Sequence, residues 1–228
     1  MSQSDCTPQH STGSSSCDVT LRKTLFVTPN PLRLSARFED ALAYAAHLHA
    51  GQPRKDTAIP YVAHLLAVCS LVLEDGGDED EAIAALLHDG PEDAGGHETL
   101  EEIRSKFGDR VADIVEECSD TFEDPKPPWS ERKEAYLEHL EDASPSALRV
   151  SLADKLHNAR SIARDHDVVG DAIWDRFNVG RDDVLWYYRS LAKVFARRKP
   201  GRMASELKGA VIELDALVKD IQETLPQP

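Results

Sequence analysis

The segment from Tyr61 to Leu73 is apolar on nearly every side. A helix of that composition has no solvent face to offer and belongs in the middle of a domain, so the rest of the chain has to pack around it. Its polar exceptions, His64 and Ser70, therefore need partners within the fold. Elsewhere apolar residues recur at helical spacing: Phe38, Leu42, Ala45 and Ala46 within 35–50, and Ala82, Ile83, Leu86 and Leu87 in a run that reaches His88-Asp89 and stops at Gly90-Pro91. Thr99-Leu100-Glu101-Glu102 reads as a capping box that opens a helix closed by Gly108. Further helices are expected at about 109–121, 130–142, 146–165, 181–198 and 203–224. Strand-like alternation of useful length is absent, so the expected fold is all-α, with no internal repeat.

A chain of 228 residues can bury one substantial core, and a single domain is the default. Residues 1–30, rich in Ser, Thr, Gln and Asp, read as a disordered N-terminal tail, 31–198 as the domain, and 199–228 as a C-terminal helix and tail beyond Lys199-Pro200-Gly201. That helix packs either on the core or on a partner subunit. With 41 Asp+Glu against 26 Lys+Arg, the formal charge of −15 argues against a broad nucleic-acid surface, so an anionic substrate has to be met by a local basic patch. Cys6, Cys17, Cys69 and Cys118 lack disulfide or metal-finger spacing and read as free thiols of a reducing compartment. Met1 to Val19 has no secretory apolar stretch, and no later run approaches ~18 apolar residues, so a cytoplasmic protein without a membrane partner is expected.

The chemistry-bearing residues stand out against this helical background. On the 146–165 helix, Leu148, Leu152, Leu156, Ala159 and Ala163 share one arc, while Asp154, Asn158 and Ser161 share nearly the opposite one. In isolation that trio reads as a solvated face. His88 and Asp89, however, close an apolar helix, where a carboxylate is partly desolvated and needs pairing, hydrogen bonds or a metal. His64 poses the same question, although a lone buried histidine more often donates to a backbone carbonyl. Taken together, His64, His88, Asp89 and Asp154 make a set of two nitrogens and two oxygens suited to Mn²⁺, Fe²⁺ or Zn²⁺, with positions left for water and phosphate oxygens. Such a centre permits metal-assisted hydrolysis, and Glu92 and Asp93, just past Gly90-Pro91, are placed to orient the water and handle its proton. Arg132 and Lys133 read either as a solvated first turn or as cations reaching toward phosphates. His47, His49, His139 and His157 have no role that spacing can assign, and Trp186, Tyr187 and Tyr188 are expected to pack between helices.

Four stretches in order carry a family likeness: Gly51-Gln52-Pro53-Arg54-Lys55, Pro60-Tyr61-Val62-Ala63-His64, Leu86-Leu87-His88-Asp89-Gly90-Pro91-Glu92-Asp93 and Leu152-Ala153-Asp154-Lys155-Leu156-His157-Asn158. Over roughly Phe38 to Phe195 the chain resembles the HD-domain phosphohydrolases, specifically the hydrolase domain of RelA/SpoT-type alarmone enzymes and their stand-alone relatives. The resemblance implies a single-domain helical HD fold with the metal site between core helices, and Mn²⁺ held by His64, His88, Asp89 and Asp154. It further implies that Glu92 and Asp93 serve the hydrolytic water, that Arg54 and Lys55 flank the base and phosphates, and that Tyr61, Asn158 and Ser161 line the ribose and base. Ser161 stands where a Thr is common. The implied reaction is removal of pyrophosphate from the 3′ position of (p)ppGpp, an activity of the stringent response. Alternatives within the family are a phosphatase acting on NADPH or adenosine alarmones, or an antidote to a cognate synthetase toxin. A homo-oligomer is also compatible.

Overall fold

The longest helix is specified by its first residues. Ser144, in extended backbone, accepts a hydrogen bond from the Ala147 amide, and Pro145 occupies the first turn, where a missing N–H costs nothing. The helix so started, here numbered eighth, runs from Pro145 to Val169 before Gly170 closes it with a positive φ. In this computed structural model, residues 32–121 and 125–224 are described, with side chains through residue 218. The expected tail over 1–30, with Cys6 and Cys17, lies outside the described residues.

In chain order the helices are α1 (Ala36–Leu48), α2 (Val62–Glu74), α3 (Glu79–Leu87), α4 (Gly90–Asp93), α5 (His97–Phe107), α6 (Asp109–Cys118), α7 (Trp129–Asp142), α8, a 3-10 turn (Gly170–Arg176), α9 (Arg181–Arg198) and α10 (Arg202–Thr224). The architecture is all-α, and no strand occurs among the described residues. No helix there is long and apolar enough to cross a membrane. α8 runs through the centre, packed by α2, α3 and α6 on one side and by α9 and α10 on the other. Both of its faces are consequently covered: Leu148, Leu152, Leu156, Ala159 and Ala163 are buried, and so are Asp154 and Ser161 opposite them. The solvated face that Asp154, Asn158 and Ser161 suggest in isolation does not exist.

α3 is the second central element. A reciprocal capping box between Asp78 and Glu81 starts it, and every residue from Ala82 to Leu87 has 0% exposure. The pair His88-Asp89 follows at its end. Gly90-Pro91, expected to stop this helix, instead opens α4, because proline is tolerated in a first turn. The expected capping box at Thr99 does not form: α5 begins at His97, after Gly95 and Gly96 with φ of 101° and 60°. That left-handed turn sets the helix start, and the Thr99 hydroxyl reaches back to the Ala94 carbonyl instead. On α1 the buried stripe is Ala41 and Ala45, while Ala46 is exposed.

Half-buried ion pairs fasten the ends of these helices. Arg149 of α8 donates to Asp75 at 3.0 Å and to Glu81 at 2.6 Å, and Lys199, just past α9, donates to Asp75 at 2.7 Å. Burial raises the Asp75 pKa, but the hydrogen bonds from Lys199 and Arg149 outweigh it and leave the carboxyl below its ordinary value. A carboxyl depressed in the folded state stabilises the fold at pH values above its unfolded pKa, about 3.9, and loses that contribution as pH falls through the folded value. Asp75→Asn is therefore expected to lower the urea midpoint at pH 7 and to flatten the loss of stability below pH 4. Urea titrations of both proteins across pH 3–7 check this.

Candidate active site

The three central helices bring together donors that are far apart in the chain. α2 supplies His64, the end of α3 supplies His88 and Asp89, and the middle of α8 supplies Asp154. His64 Nε2 lies 3.2 Å from Asp154 Oδ1 and 3.4 Å from Asp89 Oδ2. His88 Nε2 lies 3.1 Å from the same Asp89 oxygen and 3.7 Å from Asp154 Oδ1. Ligand atoms of His64, His88 and Asp154 all fall within 4.8 Å of one another, and these residues are buried. The Asp89 side chain, 21% exposed, is the most accessible member.

Two observations test whether a cation fits. The Nε2 atoms of His64 and His88 are buried and make no hydrogen bond among the described residues, a costly state for polar atoms unless something else satisfies them. His88 Nδ1 contacts the Ala85 carbonyl at 2.9 Å, which holds a proton on that side and turns Nε2, the atom a cation would use, toward the carboxylates. Bonds of about 2.1 Å put adjacent ligands about 3.0 Å apart in octahedral and about 3.4 Å in tetrahedral geometry. Donor separations of 3.1–3.7 Å match that spacing. The residues fit a divalent ion with nitrogen and oxygen ligands.

Electrostatics point the same way. Burial raises the Asp154 pKa, yet the Lys155 ammonium and the two imidazoles hold its carboxyl well below the ordinary range. Asp89 is likewise held down against burial by His88 and His64, while Asp89 and Asp154 drive the His88 pKa well up against its own burial. Two ionised carboxylates in one buried cluster demand positive charge nearby; without an ion a proton on His88 supplies it, and a bound cation would take that proton's place.

α4 carries Glu92 and Asp93 next to this cluster, each held by a separate partner. Glu92 Oε1 accepts from the Asp120 amide at 2.6 Å. Burial raises the Glu92 pKa; the Asp120 amide opposes the shift, and the Asp89 charge adds to it. Asp93 accepts from Gln52 Nε2 at 2.8 Å, and Gln52 Oε1 meets His49 Nδ1 at 2.8 Å. His49 in turn stacks on Tyr61 with ring centroids 4.9 Å apart, and Tyr61 donates its hydroxyl to Asp89 Oδ2 at 2.7 Å.

A cavity of about 590 Å³ opens beside the cluster, with His64 in its wall. All five residues that the sequence assigns to substrate, Arg54, Lys55, Tyr61, Asn158 and Ser161, line it. Arg54 donates to Asn158 Oδ1 at 2.6 Å and lies over the Tyr61 ring, and Asn158 Nδ2 donates to Asp154 Oδ1 at 2.5 Å, so the wall is tied to the donor cluster. Four further cations, Lys133, Lys155, Arg164 and Arg176, share this wall. Three of them are paired with carboxylates, Lys133 with Asp120, Lys155 with Asp154 and Arg176 with Asp165; with Arg54 and Lys55 they are the basic groups that an acidic chain can turn toward an anion.

Several of these residues escape sequence reasoning. Arg132 and Lys133 are neither solvated nor free, since both pair with Asp120, and Lys133 also lies over the Tyr187 ring. Tyr187 and Tyr188 are buried in the cavity wall, whereas Trp186, expected to pack inside, is 39% exposed and meets only the edge of Trp129 among the described aromatic rings. His157 lies 2.7 Å from His64, Nδ1 to Nδ1, a contact between α8 and α2 that the spacing on its own helix does not announce. Burial and the neighbouring His64 and Arg54 push the His157 pKa down to about 4. Arg176 enters from the 3-10 turn by pairing with Asp165 at 2.6 Å, a tertiary contact without a local pattern.

Comparison with known proteins follows the same outline. The model of the HD domain family matches residues 41–179. The guanosine-3′,5′-bis(diphosphate) 3′-pyrophosphohydrolase MESH1 of Xenopus tropicalis is 43% identical over 128 residues, covering 55% of this chain and 69% of that protein. Its Homo sapiens counterpart is 38% identical over 133 residues, covering 57% and 72%. A solved structure of a metazoan orthologue of SpoT, described as hydrolysing ppGpp, matches with a TM-score of 0.62 at 26% identity, covering 84% of this chain and 98% of that one.

Proposed function

The chain belongs to the HD domain family, as a metal-dependent hydrolase, and from that premise we propose that it removes pyrophosphate from the 3′ position of a (p)ppGpp-like nucleotide. The observation that carries this reading is the juxtaposition of a buried donor cluster with a cavity whose wall holds six cations in a chain of net charge −15. His64, His88, Asp89 and Asp154 would hold the divalent ion, with Mn²⁺ the first candidate and Fe²⁺ or Zn²⁺ the others. When bound, such an ion lowers the pKa of water and offsets charge building on phosphorus.

The chain's own residues supply the rest. Arg54, Lys55 and the deeper cations take the phosphates, while Tyr61 and Asn158 hold the sugar side. Glu92 and Asp93 orient the water and take its proton; a Glu92 carboxyl raised above its ordinary value is better matched to that exchange. In the balanced reaction the water oxygen joins phosphorus, the ester bond to the 3′ oxygen breaks, and that oxygen leaves with a proton. The reading carries with it a cytoplasmic location, in keeping with the buried free thiols of Cys69 and Cys118.

A second reading keeps the centre and changes the nucleotide to NADPH or an adenosine alarmone. Ser161 favours it, because the hydroxyl donates to the His157 carbonyl at 2.9 Å and so is not available to donate to a base. One panel separates the readings: (p)ppGpp, an adenosine alarmone and NADPH, each with Mn²⁺, Mg²⁺ or chelator, scored for pyrophosphate against orthophosphate. Metal-dependent pyrophosphate release from (p)ppGpp is expected. Orthophosphate release from NADPH alone would select the second reading, and turnover unaffected by chelator would end both. Neutralisation of a synthetase toxin by a variant without turnover would identify an antidote role, and a homo-oligomer is compatible with each reading.

A further inference from the structure

His157 lies outside the donor set, yet its ring is hydrogen-bonded to one of the donors. Its Nδ1 is 2.7 Å from His64 Nδ1, with ring centroids 4.8 Å apart. Two imidazole nitrogens at that distance share one proton, so one ring donates and the other accepts. If His157 donated, a neutral His64 would carry its own proton on Nε2. That atom is buried, faces Asp154 and Asp89 at 3.2 and 3.4 Å, and makes no hydrogen bond among the described residues. A proton there would point at the two carboxylates and would close His64 to a cation.

With a cation at the cluster, the opposite arrangement meets every requirement. His64 donates from Nδ1 and keeps its Nε2 lone pair for the cluster. His157 accepts at Nδ1, and a neutral ring that accepts on one nitrogen carries its proton on the other. His157 is also part of the cavity wall, beside Asn158 and Arg54.

We propose that His157 is a positioning residue that couples the metal centre to the substrate cavity: by accepting the His64 proton it fixes the ligand's tautomer, and it thereby offers its own Nε2–H as a donor to an anionic substrate. The inference rests on the metal-site reading above. Because the two tautomer pairs are linked, an ion at His64 favours the donor form of His157, and an anion on His157 favours the ligand form of His64 by the same factor. The partner of a metal-bound imidazole typically sets metal affinity by about 10–100-fold.

The test uses the full chain. His157→Phe keeps a ring but removes the acceptor, and is expected to weaken Mn²⁺ binding by about 10–100-fold in calorimetric titration of the ion alone. His157→Gln restores an acceptor and a donor, and is expected to recover most of that loss. Long-range ¹H–¹⁵N spectra of the Zn²⁺-loaded wild-type protein are expected to show His64 protonated on Nδ1 and His157 on Nε2. His157→Phe binding Mn²⁺ as tightly as wild type, or a His157 ring protonated on Nδ1 in the Zn²⁺ form, would overturn the inference and leave the metal site standing. Wild-type protein that binds neither ion would overturn both. Should the phenylalanine variant fail to fold, the wild-type spectrum decides.

Discussion

Asp154→Ala is expected to lower kcat/KM for metal-dependent hydrolysis by about a thousandfold or more, since a bound ion contributes several kcal/mol to such a reaction and each 1.4 kcal/mol is tenfold. The effect is large because this carboxylate serves several structures at once. Oδ1 faces both imidazoles and accepts from Asn158, and Oδ2 accepts from Lys155 at 2.6 Å. Asn158 in turn holds Arg54 at 2.6 Å, so the cation at the cavity wall loses its anchor too. Alanine also leaves the Lys155 ammonium, with a side chain only 16% exposed, without its partner. Stranding one half of a buried pair costs about 3–5 kcal/mol, and the residual exposure of Lys155 favours the lower end. Asp154→Asn separates the two effects: it preserves shape and much of the hydrogen bonding and should fold, yet remain inactive. Pyrophosphate release at saturating Mn²⁺ and urea unfolding measure the two quantities, and turnover near wild type in the asparagine variant would remove Asp154 from the centre.

Withdrawing the metal should lower the melting temperature by several degrees. A ligand at about 100 times its dissociation constant stabilises the folded state by about 2.7 kcal/mol, and in a domain of this size each kcal/mol moves Tm by about 2–4 °C, giving about 5–11 °C. The physical source is local. Two buried Nε2 atoms without hydrogen bonds and two ionised carboxylates are brought together by folding, and an ion satisfies all of them. Thermal melts with Mn²⁺ and with chelator should differ for wild type and coincide for Asp154→Asn. Identical wild-type melts in the two conditions would refute the donor set.

What could be read from the chain follows from where the physical cause lies. Helix positions are legible because burial imposes a period, and Leu148, Leu152 and Leu156 announce the core face of α8 without any knowledge of its neighbours. His64, His88 and Asp89 are legible for a related reason: polar residues inside apolar segments demand an explanation. Thr99 misleads because its local pattern competes with a stronger constraint three and four residues upstream, the positive-φ pair Gly95-Gly96. Trp186 misleads because hydrophobicity indicates a preference for burial and not which side of α9 faces the core. His157 and Arg176 depend on tertiary neighbours, α2 for the first and Asp165 of α8 for the second, and periodicity carries no information about those.

The enclosure of α3 from Glu81 to Leu87 bears on how such a protein can change over generations. With Ala82 to Leu87 each wholly covered, any altered side chain there disturbs several neighbouring helices together, and His88-Asp89 is carried at the end of this close-packed strut. Another part of the cavity wall is built differently, from Arg176 at the end of the 3-10 turn and from Phe177 and Asn178 just past it, which are half-buried or exposed and lie outside any long helix. Drift in which molecule is accepted is thus mechanically separated from drift in the reacting centre, so new preferences can be explored there while the hydrolytic apparatus stays intact.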